Sequence, residues 1–363
     1  MLIWVFNRDF IKRGAISTYK SLQWTEEYRG VGQLEFHYSY TNDPDDGARV
    51  LNLLQQGYFF YQRGKRTAME VSYIERNKAE KLIIVYGHTT LNLLSNRVIY
   101  PQLSVRGRVE PAMYDIVNRF AVNPATNRRI PRLHLASGGS LPGTHEAEYL
   151  GEEISEALQD LAFVGDLGYY MEFDHEGKKH VFNIYQGRDL THGNGIYPPA
   201  IFSDNYGNLT QSIIIDDWTQ FKNVAYVGGE IKEGRQRVFV ELGNTSGLDR
   251  REMFIDASSL QSEYRDDKGN DIVLTPAEYR RVLEHFGWKE LSEYNKRMTY
   301  IGEIGNLDDW GTRYYLGDKV TCISNDYGLR VDGRIISYTE VTENNQKKLA
   351  VTFGEPEITG WRI

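Results

Sequence analysis

Residues 316–354 constrain the fold more than any other stretch of this chain. They read LGDKVTCISNDYGLRVDGRIISYTEVTENNQKKLAVTFG. Apolar residues alternate up to a turn at Asn325–Gly328. A long second run follows, then a polar turn at Glu343–Gln346, then a last apolar run. Period-two alternation interrupted by Asn, Asp and Gly is the pattern of strand, turn, strand. The stretch is a closing β-module of one strand, one long strand and one final strand. It rejoins β material met earlier in the chain.

With 363 residues the chain exceeds one compact core and points to roughly two to four domains. Charged residues at 25% and hydrophobic residues at 40% place it among ordinary globular proteins. The net charge of -8 argues against wrapping nucleic acid, which needs clustered Lys and Arg. It would suit a duct through which DNA slides without adhering, but many cytoplasmic proteins are equally acidic. The aromatic content is high, with 25 Tyr, 15 Phe and 6 Trp. Tyr-rich strands fit half-buried sheets and interfaces, and carbohydrate binding is a second reading of the same excess. The single cysteine, Cys322, excludes an intrachain disulfide and a multi-thiolate metal site. It reads as a small buried hydrophobe. MLIWVFNRDF is too short in its apolar part for a secretory signal, and no stretch approaches a membrane span. The chain is expected to be made and used, or assembled into something larger, inside its cell.

Five segments follow from the pattern. Residues 1–95 read as an N-terminal, mostly β module, a small antiparallel barrel or sandwich. Its strands are LIWVFN, AISTYKSLQWTEEY, VGQLEFHYSY, YFFYQ, AMEVSYIERN and KLIIVYGHT, with turns at Arg63-Gly64-Lys65 and Asn77-Lys78-Ala79. DPDDGARVLNLLQQG reads as a turn with a short helix or loop. Residues 96–200 read as an α+β domain. One helix opens at Pro111 with Met113, Ile116, Val117 and Phe120 on one face, and a second carries Ile154, Leu158 and Leu161. A short strand at Arg132–Ala136 and a hairpin turned at His175–Lys178 complete it. Residues 201–257 return to β and supply strands of a second β module, with a hairpin over Gly229–Arg237. Residues 258–315 are a helical insertion, capped by Thr275, Pro276 and Glu278. Residues 316–363 close the second module.

No catalytic, cofactor-binding or metal-ligating residue is assigned. His175 and His180 flank a turn with Asp174 and Glu176, but a turn of such composition is ordinarily solvated. His134 and His145 have no visible partner. HEAEY at 145–149 lacks the second histidine that a zinc-peptidase helix needs. Asp216-Asp217 beside Trp218 is the best carboxylate pair for glycoside hydrolysis, and a turn after a strand explains it as well. SGGSLPG at 137–143 has no Lys-Ser or Lys-Thr after it and is no phosphate loop. Gly228-Gly229 reads as a tight hairpin entry. Cys322 has no nearby His, and no serine sits in a hydrolase elbow. Arg128-Arg129 and Lys178-Lys179 read as solvated basic pairs.

Three stretches carry a resemblance. They are GRDLT at 187–191 leading to IFSDNYGNLTQSIIIDD, FKNVAYVGGE at 221–230, and LGDKVTCISNDYGLRVDGRIISYTEV with LAVTFGEP. In this order the chain resembles the baseplate hub, or tail-associated (prophage tail endopeptidase-like), proteins of siphophages and prophages of Gram-positive bacteria. The resemblance implies a mainly β fold with α+β insertions: two tail-tube-like antiparallel β-barrel modules plus peripheral α+β domains. It implies a homotrimeric ring that binds the distal tail protein and caps, then opens, a channel for the tape measure protein and DNA. DNA would pass without specific binding. A receptor-binding or lysin component is a further partner. Any lytic activity would reside in a C-terminal extension or in such a partner. The implied place is the tail tip or baseplate of a virion assembled in the host cytoplasm. The strands at 31–40, 81–88, 221–229 and 331–341 are the expected self-association surfaces. A cell-wall carbohydrate-binding module and a glycoside or peptidoglycan hydrolase are the alternatives.

Overall fold

The computed structural model describes residues 2–40, 44–265, 271–292, 294–343 and 346–361. It divides into two compact units, Met1–Ile213 with Tyr300–Ile363, and Ile214–Thr299.

The first unit opens with β1 (Ile3–Phe6), β2 (Lys12–Ile16), β3 (Ser21–Glu27), β4 (Gln33–Ser39), helix α1 (Pro44–Leu53), β5 (Phe59–Gln62), β6 (Met69–Asn77) and β7 (Leu82–Thr89). The stretch AISTYKSLQWTEEY thus splits between two strands, β2 and β3. Strand β5 is buried at every position. Phe60 faces one cluster with Trp24, Leu34 and Phe36, while Phe59 and Tyr61 face another with Phe6, Phe10 and Phe173. Burial on both faces explains why YFFYQ is continuously apolar rather than alternating.

A helical layer follows. It contains β8 (Leu103–Arg108), α2 (Val109–Val117), β9 (Leu133–Leu135), β10 (Thr144–Tyr149), α3 (Ile154–Gly165), β11 (Gly168–Asp174) and β12 (Lys179–Tyr185). Met113, Ile116, Val117, Phe120, Ile154, Leu158 and Leu161 share one core cluster. Helix α2 begins at Val109 rather than at Pro111. Proline is tolerated there because first-turn N–H groups have no helical partner. The β8–β10 pair lies in a region that reads as helix and loop, since half of β10 is solvent-facing and polar.

The chain continues through β13 (Ile201–Ser203) and β14 (Leu209–Asp217). The second unit holds β15 (Val224–Gly228), β16 (Phe239–Leu242), β17 (Glu252–Asp256), β18 (Glu263–Arg265), β19 (Asp271–Val273) and α4 (Pro276–Ser292). Strand β15 lies between β16 and β17. Tyr279, Leu283 and Leu291 of α4 join Ala225, Val227 and Leu242 in one core cluster. Glu278 Oε2 accepts from Thr275 N at 2.8 Å and Thr275 Oγ1 accepts from Glu278 N at 3.3 Å, the reciprocal cap read from the sequence. A Cβ on Gly229 would lie 2.6 Å from Tyr279 Oη, so this glycine permits the close approach of α4.

Strands β20 (Arg297–Ile304), β21 (Lys319–Ser324), β22 (Leu329–Glu343) and β23 (Gln346–Trp361) end the chain. The turn at Asn325–Gly328 is present, with Gly328 at φ 60°. The turn at Glu343–Gln346 falls on residues 344–345, outside the described residues.

The two expected barrels do not form. Among the described residues the strands build several open sheets, the largest a thirteen-stranded one ordered β14-β20-β23-β22-β3-β4-β7-β6-β5-β1-β2, with β21 and β13 branching from β22. Closure would require the N-terminal strands to pair end to end. Instead β3 places its outer edge against β22, from Ser21↔Glu343 to Glu27↔Ser337. The other half of β22 pairs with β21 along the same side. One long strand therefore serves two partners, and the closing module extends the N-terminal sheet instead of sealing a barrel of its own. The fold is a mixed β/α arrangement of open sheets.

Candidate functional site

A cavity of about 690 Å³ opens in the first unit where separate parts of the chain converge. Its walls come from the end of β3, the turn after β5, the start of β11, the 310–316 loop and β22. Its volume is that of a small-molecule site.

A cluster of charges forms part of the wall. Lys65 Nζ lies 2.7 Å from Glu340 Oε1, 2.9 Å from Tyr338 Oη and 3.6 Å from Glu26 Oε1. Tyr338 donates to Glu26 at 2.7 Å, and Trp24 Nε1 donates to the same oxygen at 3.0 Å. Lys347 reaches the second Glu340 oxygen at 3.0 Å. Burial alone would raise the Glu340 carboxyl; the charges and hydrogen bonds of Lys65 and Lys347 outweigh it and hold the group below its ordinary range. Burial and the Glu26 charge push the Tyr338 hydroxyl far up, so it stays a neutral donor.

Beside it lies a second cluster. Arg334, 2% exposed, donates to Asp166 and to the Gly317 carbonyl. Arg29 reaches the other Asp166 oxygen at 2.6 Å. Asp166 is the left-handed C-cap of α3, so the helix end carries the anion that pairs both arginines. Arg188 grips Asp318 with two contacts of 3.2 and 2.6 Å, and Lys319 N donates to Arg188 O at 2.8 Å. The GRDLT and LGDKV stretches thus lie against each other. A Cβ on Gly187 would stand 1.7 Å from the Gly317 carbonyl oxygen.

Most of the residues weighed for chemistry are in structural use. His175 stacks on Phe6 at 5.6 Å, and His180 lies among Phe10, Phe59 and Phe173. Burial lowers His180 to about 4, so the ring is neutral. Asp174 accepts from Gly177 N at 2.7 Å and closes its own turn. Among the described residues no group of three or more His, Cys, Asp or Glu side chains could hold a metal. His145 lies on β10, 4.0 Å from Asp160, and His134 is exposed on β9. In the second unit, Asp216 accepts from Trp218 Nε1 at 2.6 Å, Asp217 accepts from Thr219, and Lys296 Nζ sits 3.5 Å over the Trp218 ring. Cys322 is buried, and burial pushes its thiol pKa far up. Glu110 holds the SGGSLPG loop by accepting from Gly139 N at 2.5 Å and Leu141 N at 2.9 Å. The loop cradles a carboxylate of its own chain. Arg128 donates to the carbonyls of Tyr100 and Val98, and Lys179 lies 3.7 Å from Asp174.

The strands expected to mediate self-association are interior. Strand β4 lies between β3 and β7, β7 between β4 and β6, β15 between β16 and β17, and β22 between β3 and β23. Their ladder edges are taken, and the ends of the large sheet are β2 and β14.

Sequence reading missed the cavity. Arg63-Gly64-Lys65 registers only as a turn and Tyr338-Thr339-Glu340 only as a strand. The available signal was a carboxylate at Glu340, two residues from Tyr338 on the same strand face, where alternation predicts an apolar residue.

The family model described as Siphovirus ReqiPepy6 Gp37-like protein matches residues 2–355. The tail protein from Neisseria meningitidis MC58 has a similar fold, with a TM-score of 0.57 and 14% identity over 97% of this chain and 96% of that one. The prophage MuSo2 43 kDa tail protein from Shewanella oneidensis gives 0.55 and 13% over 97% of this chain and 98% of that one. At these identities the likeness concerns the fold alone. No curated protein sequence matches the chain.

Proposed function

The chain belongs to the Siphovirus ReqiPepy6 Gp37-like protein family, a phage and prophage tail-associated structural family, and from this we propose that it is the hub of a tail tip or baseplate. In this reading three copies form a ring. The ring joins the distal tail protein to the tail tip and lines the channel that passes the tape measure protein and DNA. A receptor-binding or lysin component attaches to it.

The observation that carries the reading is coverage. The fold shared with two tail proteins runs over 97% of this chain and nearly all of theirs, so the likeness is to a whole protein and not to one borrowed module. The net charge of -8 suits a bore that does not retain DNA. The reading assigns no catalytic step; of the groups weighed for catalysis, His175 and His180 pack among rings, and Asp174, Asp216 and Asp217 accept hydrogen bonds from neighbours in their own turns. No helix among the described residues is long and apolar enough to cross a membrane.

Light scattering at several protein concentrations tests the proposal. The expected mass is three times 41.9 kDa, followed by rings with a central channel in negative-stain images. A monomer at every concentration, with the distal tail protein also present, overturns it.

A further inference from the structure

We propose that the uncovered face of β22, β3, β4, β7 and β6 lines the channel of the ring, as a wall over which duplex DNA slides without being held. This role presupposes the trimeric hub proposed above and says which surface of the chain meets the DNA.

The five strands lie side by side in the large sheet, and their registers bring alternate residues onto one face. Trp24, Leu34, Phe36, Val71 and Val85 point the other way, into a core cluster. On the uncovered face Thr25 Oγ1 meets Thr339 Oγ1 at 2.8 Å, and the Tyr73 and Tyr86 rings lie 5.8 Å apart. The face consists of every second residue over 337–343, 21–25, 33–39, 84–88 and 73–77, and none of these is buried.

None of these positions is Lys or Arg, although 42 of the 363 residues are. They carry hydroxyls, amides, imidazoles, a few apolar groups and the carboxylates Glu35, Glu75 and Glu343. Basic residues begin at the margins. Lys348 on neighbouring β23 is paired with Glu303 at 3.3 Å, and Arg8 with Glu70 at 3.6 Å. Arg76 falls on the opposite face of β6, across from Ile83.

A duplex is retained through the phosphates that Lys and Arg neutralise, each contact releasing counterions. A face without cations neutralises none. Its carboxylates repel the phosphates over roughly 8 Å, the Debye length at physiological salt. A surface built to hold a protein would gather apolar and aromatic groups at its core. Here β3 and β4 present Gln23, Thr25, Gln33, Glu35 and His37, and the Tyr73 and Tyr86 rings stand to one side.

The test uses the whole chain, with the distal tail protein if the ring requires it. Maleimide-nanogold on Gln23→Cys should lie inside the ring in negative-stain averages. Cys322 is buried, so the parent should stay unlabelled. A second variant combines Gln23→Lys, Gln33→Lys and Glu75→Lys. These exposed side chains make no hydrogen bond or ion pair among the described residues. The variant should assemble as the parent does and bind a short duplex at least about tenfold more tightly, the gain fading as salt rises. Gold on the outer rim of an intact ring overturns the assignment and leaves the hub standing. So does a lysine variant that assembles but holds DNA no better than the parent. A lysine variant that no longer forms the parent's ring makes the face a contact between copies and also overturns it. If the parent itself forms no ring, the hub fails and the assignment falls with it.

Discussion

Lys65 and Glu340 are 275 residues apart in sequence, yet their charged atoms lie 2.7 Å apart in the cavity wall. The pair ties the β5–β6 turn to the last long strand. Replacing Lys65 leaves the buried Glu340 with Lys347 as its one remaining cation among the described residues and takes the lysine from Glu26 as well. Lys65→Met is expected to cost about 3 kcal/mol of stability, read from urea denaturation at pH 7. Glu340 also predicts the acid behaviour. Its folded pKa lies below the ordinary 4.5, so its contribution is present above that value and is lost as pH falls through the folded one. The variant should lose that part of the acid dependence. A variant as stable as the parent at pH 7 would show that the pair contributes nothing.

Gly187 and Gly317 pose a steric test. With the Gly317 oxygen 1.7 Å from an added Cβ, and Arg334 Nη1 2.9 Å away, Gly187→Ala must push apart the GRDLT and LGDKV segments. Both approaching groups are fixed, the carbonyl by the backbone and the guanidinium by its bonds to Gly317 and Asp166. The expected loss is on the order of 3 kcal/mol, seen as a lower melting temperature. Gly139→Ala is the control. An added Cβ there meets its nearest atom at 3.5 Å, an ordinary contact, and neither glycine has a left-handed φ. It therefore reports the loss of a glycine without the clash.

Strand existence was legible where alternation was strong, as in β4 and β22, because each has one face against a core. Helix α4 was legible from its cap and its apolar stripe. The pairing of β3 with β22 was not legible. Alternation shows which face of a strand is buried, but nothing in Ser21–Glu27 says which distant edge it will meet. That one pairing separates an extended open sheet from two closed barrels. The cavity was hidden for the same reason. Its wall brings Glu26, Lys65 and Glu340 together from three separate segments, and each charge read alone is a solvated residue. The partner of the Gly-rich loop, Glu110, lies in the helix before it, and nothing in SGGSLPG points to that carboxylate.

His180 predicts a second acid-sensitive step. The folded protein keeps the ring neutral down to about pH 4, whereas the unfolded chain takes up a proton near 6.5. The unfolded state therefore binds more protons between these values, and stability falls as pH drops through that window. The full effect is on the order of 3 kcal/mol, since each tenfold difference in proton affinity between the two states corresponds to about 1.4 kcal/mol. His180→Leu should flatten the decline between pH 6.5 and 4. The ring resonances of His180 should stay unmoved at pH 5. A His180 that titrates near pH 6.5 in the folded protein would refute this account.

Glu110 offers the last test, one of stability and local order together. Its buried carboxylate accepts from two backbone N–H groups of the 137–143 loop, and Arg108 lies 3.8 Å away. Hydrogen bonds to a charged acceptor contribute more than neutral ones, so Glu110→Ala is expected to cost about 2 kcal/mol. The loss should be local before it is global. Gly139 and Leu141 would keep no side-chain acceptor, and their amide hydrogens should exchange faster while those of β5 and β7 stay protected. Limited proteolysis should then cut within Ser137–Gly143 in the variant and spare the parent. Glu110→Gln retains one acceptor oxygen and should fall between the two. Uniform loss of protection across the first unit would instead make Glu110 a part of the global core.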